Sequence, residues 1–382
     1  MSTYLSAFNT LYLRSFDISF SIIGIVAAIA MFPFILKVFI GLLSDRVSLF
    51  KKGHRKPYII IGLIMQSIGF MLLPLFKPNA NISLYIMMMV FIALGMSTYD
   101  TTTDGFSIDS SPAEDRGLVQ ALMVGGRALA MVITGVLMSV FSGAGNWNGI
   151  FYMVGILGII ALVFAFLIEE STEHTPETKF DSAAFKSFAD KAFLLFVLMG
   201  FVYPLALYSA EGMVSAFANE ILGVSLSTVG YLTAIYGLGT VCGGLVGAPL
   251  LKKFGPQNSL IGAMCLTALV TFLLAVTPVS GFLWVIMFLY GIAYGYYSTV
   301  YFALGMEFSD PRIAAFMFSV IMAVGNLAIS AGSALAGGMV DAVGFRWMFV
   351  VFAVINLLVF PIIIAVFKNR GKAVAPAASA GD

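Results

Sequence analysis

Lys37, Asp100, Asp104 and Arg127 are ionisable residues set inside long apolar runs of a 382-residue chain in which only 10% of residues are charged. A charge within a membrane-spanning segment is costly, and it pairs with another charge or faces water. Lys37 precedes Asp45 by eight residues, about 12 Å of helix, and Arg127 follows Arg116 by eleven, about 16 Å. Asp100 and Asp104, four residues apart, share a helix face. The spacing therefore places all four near the middle of a membrane or in one leaflet of it. Two chemistries fit: a network coupled to protons or to a solute, and a fixed ion-pair cluster that only holds helices together. Both histidines, His54 and His174, fall in connections, so a proton path needs a carboxylate. Burial favours the neutral acid and a nearby cation favours the carboxylate. Asp100 beside Lys37 or Arg127 is thus placed to load and release a proton.

Further polar residues mark the second half. Glu211, in YPLALYSAEG, is the one acid inside an apolar helix there and lies towards that helix's outer end. It reads either as a solute or proton site at the outer mouth or as an interfacial carboxylate. Tyr290, Tyr294, Tyr297 and Tyr301 follow i, i+4, i+7, i+11, a helical stripe. Their hydroxyls need partners inside a membrane. The stripe is either a hydrogen-bonding wall for a ring-bearing solute or helix packing, with Gly291 and Gly295 allowing close approach on another face. Asn326, Ser330 and Ser333 on the next helix add polar contacts to the same candidate cavity.

The elements that must hold these residues are apolar helices. The chain is 60% apolar with mean hydropathy +1.00, whereas a soluble domain is about 25% charged. Runs long enough to span a bilayer, about 20 residues, recur at 20–43, 57–76, 82–105, 117–141, 147–168, 190–215, 226–250, 258–277, 281–304, 313–337 and 344–367. A short apolar stub occupies 4–13. A β-barrel would alternate over about ten-residue segments instead. Fifteen of the twenty Lys and Arg fall in alternate connections and the C-terminal tail, which makes those segments and the C-terminus cytoplasmic. Trp147, Trp284 and Trp347 begin helices at the opposite side, where an interfacial belt places them. No basic leader with a cleavage site precedes the first run. Cys242 and Cys265 lie within helices and form neither a disulfide framework nor a metal site.

The chain repeats itself. Ser19–Gly24 reads SFSIIG and Ser225–Gly230 reads SLSTVG; Gly41 and Gly247 keep the same offset of 206 residues. The expected organisation is an N-terminal half at 1–168, a cytoplasmic linker at 169–190, a C-terminal half at 191–367 and a disordered cytoplasmic tail at 368–382. Subtracting the offset from 190–215 places the first helix largely before Met1, with the stub as its outer end. The expected architecture is thus an all-α membrane bundle of two pseudo-symmetric six-helix halves with eleven full helices. A start codon placed too late accounts for the short first helix; a real truncation is the other reading.

Two six-helix repeats with a G-x-x-x-D-R loop after the second helix resemble the major facilitator superfamily over the whole chain. Pro33, Lys37, Gly41, Asp45, Arg55, Pro57 and Tyr58 are similar to the helix 2–3 region of folate–biopterin transporters and AmpG-type muropeptide permeases. STYDTTTDGFSIDSSPAEDRG resembles the fourth helix of that group. GGRALAM, with Arg127, resembles the permeases' Gly-aromatic-Arg segment, with Gly126 in place of the aromatic residue. Pigment-delivery proteins of phototrophs share parts of the pattern. The resemblance implies that Gly41, Asp45, Arg46 and Arg55 form a cytoplasmic gate, in which Asp45 meets the start of the helix at 313, because a helix N-terminus favours an anion. Leu251 stands where the repeat would place a second Asp45.

No G-x-x-x-x-G-K-[ST] motor loop, nucleophile–base constellation or basic nucleic-acid face occurs, and no cofactor is expected. The fifth helix has no Gly-Pro pair, the antiporter signature of the superfamily that the chain resembles, and the resemblance thus implies symport or uniport over antiport. The expected function is secondary transport of a small organic solute by a monomer in the cytoplasmic membrane, driven by protons. The alternative is a pigment or lipid delivery factor without turnover.

Overall fold

The computed structural model describes residues 3–49, 55–110, 116–167, 169–170, 182–309 and 314–373, and the only regular elements among them are helices. A π-turn at Tyr4–Phe8 leads into α1 (Asn9–Arg14). There follow α2 (Phe20–Ala30), α3 (Phe32–Ile35), α4 (Lys37–Arg46), α5 (Lys56–Leu72), α6 (Ile82–Asp109), α7 (Arg116–Gly143), α8 (Trp147–Leu167), α9 (Lys191–Ala216), α10 (Leu226–Val276), α11 (Phe282–Phe308), α12 (Ala314–Leu357) and α13 (Val359–Ala373).

Nine stretches among the described residues are long and apolar enough to cross a membrane. The two longest, of 51 and 53 residues, would reach about 77 and about 80 Å as straight helices against a hydrocarbon core of about 30 Å. Each is folded back by a glycine with positive φ: Gly255 (φ 76°) within α10 and Gly344 (φ 81°) within α12. Such a conformation disfavours any residue with a Cβ. Each stretch therefore runs over two of the spans expected from the sequence.

Residues 20–43 keep to the one expected span, an apolar stretch at Phe20–Ser44, but within it the helix is interrupted at Met31 and Leu36 around Pro33. Pro33 has no N–H to donate and crowds the preceding turn. Residues 368–373, expected in a disordered tail, continue helix α13; the rest of the tail lies outside the described residues.

The repeated serines do the same work in both halves. Ser19 accepts the N–H of Ile22 at the start of α2, and Ser225 accepts the N–H of Thr228 at the start of α10. Both have extended backbone at ψ near 150°, as N-caps do. Within the first half, α5 and α6 approach at Gly62 and Gly95, where a Cβ on Gly62 would lie 2.6 Å from the Gly95 carbonyl. Hydroxyls inside α6 are satisfied along their own helix: Thr98 donates to Leu94 O (2.7 Å), Thr101 to Ser97 O (2.7 Å) and Thr102 to Thr98 O (2.8 Å). Such back-bonding is how a polar helix is kept in a lipid-facing bundle.

The two halves meet mainly at one end, the end at which Trp147 begins α8. There Arg14 Nε donates to Glu220 Oε1 at 2.6 Å, Ser139 Oγ lies 3.0 Å from Ser227 Oγ, and Ser142 Oγ donates to Leu226 O at 3.1 Å. Asp341 accepts from the N–H of Phe20 (3.2 Å) and of Ser21 (2.7 Å) and from the Ser21 hydroxyl (2.5 Å), so α12 caps the exposed first turn of α2. Further in, Ser330 Oγ donates to Ala28 O (2.8 Å) and Asn326 Nδ2 to Phe34 O (3.2 Å).

Candidate functional site

Pro33 is the origin of the site. The break it forces lets α4 restart at Lys37, whose ammonium is then directed at α6. Lys37 Nζ pairs with Asp100 Oδ2, and the other carboxylate oxygen accepts from Arg127 Nη2 of α7 at 3.3 Å. Asp100 thus bridges two cations from two other helices. Lys37 and Asp100 are partly buried, at 12% and 18% side-chain exposure, whereas Arg127 is 57% exposed although it lies deep within an apolar helix. Its neighbours Gly125 and Gly126 face open space. The guanidinium therefore fronts a cleft between the halves, open at this level and closed at the tryptophan end. Asp104, one turn beyond Asp100, is half-buried and within electrostatic reach of Asp100, Lys37 and Arg127.

Across the cleft stand tyrosines of the second half. Arg127 is within electrostatic reach of Tyr208 and Tyr294. These two rings meet edge-on at 5.5 Å, and Tyr236 packs on Tyr294 at 5.9 Å. The Tyr236 phenol in turn faces the carboxyl of Glu211. Glu211 is only 8% exposed, so the reading of it as an interfacial carboxylate is corrected. Ser6 and Ala7 of the N-terminal segment line the same small cavity, and Thr10 of α1 bonds the adjacent Gly212 carbonyl.

The tyrosine stripe divides instead of forming one wall. Tyr297 stacks on Tyr203 at 3.5 Å between ring centroids, Tyr301 stacks on Phe196 at 4.8 Å, and Tyr290 donates to Leu207 O at 2.7 Å. All three fill the space between α11 and α9, because Gly200 leaves room for the Tyr301 ring. Tyr294 alone of the four stands on the side of Arg127. Asn326 is used between the halves, on the Phe34 carbonyl at the Pro33 break, rather than on the cavity wall.

Of the four residues of the expected gate, Gly41 and Arg55 have described surroundings. Gly41 faces α6, with Thr101 Cγ2 the nearest neighbour of an added Cβ at 3.6 Å, an ordinary contact distance. Arg55 is buried and held within its own half: its Nη1 donates to Ser44 Oγ at 2.7 Å, and its backbone N–H donates to Glu170 Oε1 at 2.8 Å. The side chains of Asp45 and Arg46, and the residue-313 helix start expected to meet Asp45, lie outside the described residues.

The chain matches the family model for the Major Facilitator Superfamily over residues 1–333 and again over 196–382. The chain belongs to the major facilitator superfamily. It is 24% identical over 217 residues to the anhydromuropeptide permease of Escherichia coli K12, a match that covers 55% of this chain and 44% of the permease. It is 27% identical over 247 residues to the folate–biopterin transporter of Synechocystis, covering 61% and 47%. The match thus spans about half the length of these curated relatives. In fold the chain resembles a bacterial homolog of the human lysosomal transporter Spinster in an inward-facing, unoccupied conformation, with TM-score 0.76, 17% identity and coverage of 98% and 95%. A D323A mutant of the nucleoside transporter NupG gives TM-score 0.77, 14% identity and 96% coverage of each chain. The resemblance read from Pro33–Tyr58 and from the α6 acids is thus matched by relatives in the same two groups.

Sequence reasoning missed the closed end. Arg14 and Glu220 stand 206 residues apart, the repeat offset itself, so the register could have singled them out. Tyr208, Tyr236 and Ser215 carry no such signal, because buried tyrosines and serines look alike in sequence whether they pack or line a cavity.

Proposed function

We propose that this chain is a secondary transporter that carries a small organic solute across the cytoplasmic membrane as a monomer, by alternating access and in symport with protons. The observation that carries the proposal is the Lys37–Asp100–Arg127 triad, fronting a cleft between two halves that are joined at one end. Buried charges of this kind mark solute and ion pathways. In this fold the site lies between the halves near the midplane, and their rocking exposes it to each side in turn. Arg127 has donors to spare for a solute, while Asp100 is already neutralised from both sides. A solute group that takes Arg127 away from Asp100 changes the charge felt by Asp100 and Asp104, and this is the proposed link to protons. The named relatives, a muropeptide permease and a folate–biopterin transporter, support a polar, ring-bearing solute. The basic loop after α4 is the proposed gate on the cytoplasmic side, with Arg55 anchored beneath it.

Uptake into proteoliposomes tests the reading, with labelled anhydromuropeptide, folate, biopterin and a nucleoside as probes, with and without an imposed proton gradient. The expected result is gradient-dependent uptake of one class, abolished in Asp100→Asn. Absence of flux for all probes favours the delivery-factor alternative. Full proton-driven uptake by Asp100→Asn removes that residue from the coupling path.

A further inference from the structure

Glu211 is a buried carboxyl that the triad does not use. Among the described residues no basic side chain pairs with it. The ionisable groups that face it are phenols: Tyr208 from its own helix α9, Tyr236 from α10 and Tyr290 from α11. An unpaired carboxylate in such surroundings is too costly to keep. It must take up a cation or a proton.

Beside it lies a small cavity of about 20 Å³, large enough for about one water. Ser6 and Ala7 of the N-terminal segment form one wall, and Glu211, Ser215, Thr233 and Tyr236 of the second half form much of the rest. The Ser215 hydroxyl is buried and has no hydrogen-bond partner among the described residues. Glu211 and Ser215 are one turn apart on α9, so a single water between them would satisfy both. The remaining wall is aliphatic: Val214, Val229, Leu232 and Met287 are among its residues. The wall also carries the hydroxyls of Ser6, Ser215, Thr233 and Tyr236, so a bound proton and a small cation are told apart by exchanging sodium for choline.

The cavity also straddles the two halves. Thr10 Oγ1 donates to Gly212 O at 3.2 Å, next to Glu211 in the chain, and the Arg14–Glu220 pair lies further out at the same closed end. Parting of these contacts would widen the path of water to Glu211 from that end. On the other side Tyr208 connects it to Tyr294 and so to Arg127.

We propose that Glu211 is a second proton-binding site, in the half opposite the triad, which holds its proton while the tryptophan end is closed and exchanges it when the halves part there. The exchange is a simple transfer: the proton comes from water at the opened end and bonds a Glu211 carboxylate oxygen. Only the opening step rests on the transport reading above; the protonation does not.

Infrared spectroscopy of the purified full-length protein at neutral pH reads the proton directly. A carboxylic-acid C=O band is expected that is lost in Glu211→Gln and retained in Asp104→Asn and Glu220→Gln. Gln copies the neutral acid, so this variant is expected to fold. Should it not, Glu211→Asp must shift the band. A spectrum unchanged by both substitutions overturns the proposal, and so does a band that vanishes on replacing choline chloride with sodium chloride, which would assign a metal cation instead. Cross-linking the closed end through S139C/S227C is expected to slow deuterium exchange of the band at least tenfold. Exchange at the uncross-linked rate overturns the gating while leaving the protonation in place, and neither outcome depends on finding the transported solute.

Discussion

Asp100 accepts from Lys37 through one oxygen and from Arg127 through the other, so its partners are not equivalent. Lys37 is partly buried with it, and Arg127 is in the open cleft. Breaking a buried pair by removing one partner costs about 3–5 kcal/mol where nothing replaces it, while removing both is close to neutral. Lys37→Ala is therefore expected to lower the thermal unfolding temperature, with Arg127 moderating the loss, and Lys37→Ala/Asp100→Asn is expected to recover most of it. A calorimetric double-mutant cycle measures the coupling, and simple additivity would place the two residues out of contact. Arg127→Lys keeps the charge but removes the planar fork that can hold Asp100 and a solute group at once. It is expected to leave stability nearly unchanged and to weaken binding of an accepted solute about tenfold or more, as read by equilibrium binding.

At the scale of elements, two devices hold the closed end. One is the carboxylate of Asp341 on the first turn of α2. Loss of a capping side chain costs about 1 kcal/mol. Asp341→Ala is expected to destabilise by about that amount, and Asp341→Asn by less, as followed by thermal unfolding in detergent. The other device is the crossing of α7 and α10 at Gly135 and Gly230, where a Cβ on Gly230 would lie 2.6 Å from the Gly135 carbonyl. Gly230→Val is expected to force these helices apart. Spin labels on the tryptophan-end loops should then report a longer distance between the halves, and an unchanged distance would show that α7 and α10 yield without opening. The Pro33 break belongs to this scale as well. The proline could be read from the sequence, but the two interruptions it produces could not, since a proline inside a membrane helix is often absorbed by a mild kink.

The whole molecule is two halves whose meeting surface decides which end is open. Ser139 and Ser227 face each other across that surface with hydroxyls 3.0 Å apart. In a background with Cys242 and Cys265 replaced, S139C/S227C is expected to cross-link readily under mild oxidation. Cleavage at a protease site inserted between the halves would then leave one band on a non-reducing gel. Two bands would mean that the closed end is rarely populated. The cross-linked protein should expose Arg127 to reagents from the basic side and never close there.

The sequence alone determined the class of fold, because lipid tolerates only helices or closed barrels and the spacing of apolar runs separates the two. It also determined the repeat, through Ser19 and Ser225 at a fixed offset, and it singled out Lys37, Asp100 and Arg127, because a charge in an apolar run is expensive wherever it ends up. Only the tertiary structure decided how these charges are used. Pairing depends on which helix faces which, and an i, i+4 pattern records a face without recording its neighbour. Tyr290, Tyr297 and Tyr301 show this, since their stripe looked out on a cavity or on α9 with equal right until Gly200 gave the rings room. Glu211 shows it too: a carboxyl near a helix end is solvated or sealed according to what the other half of the molecule lays over it.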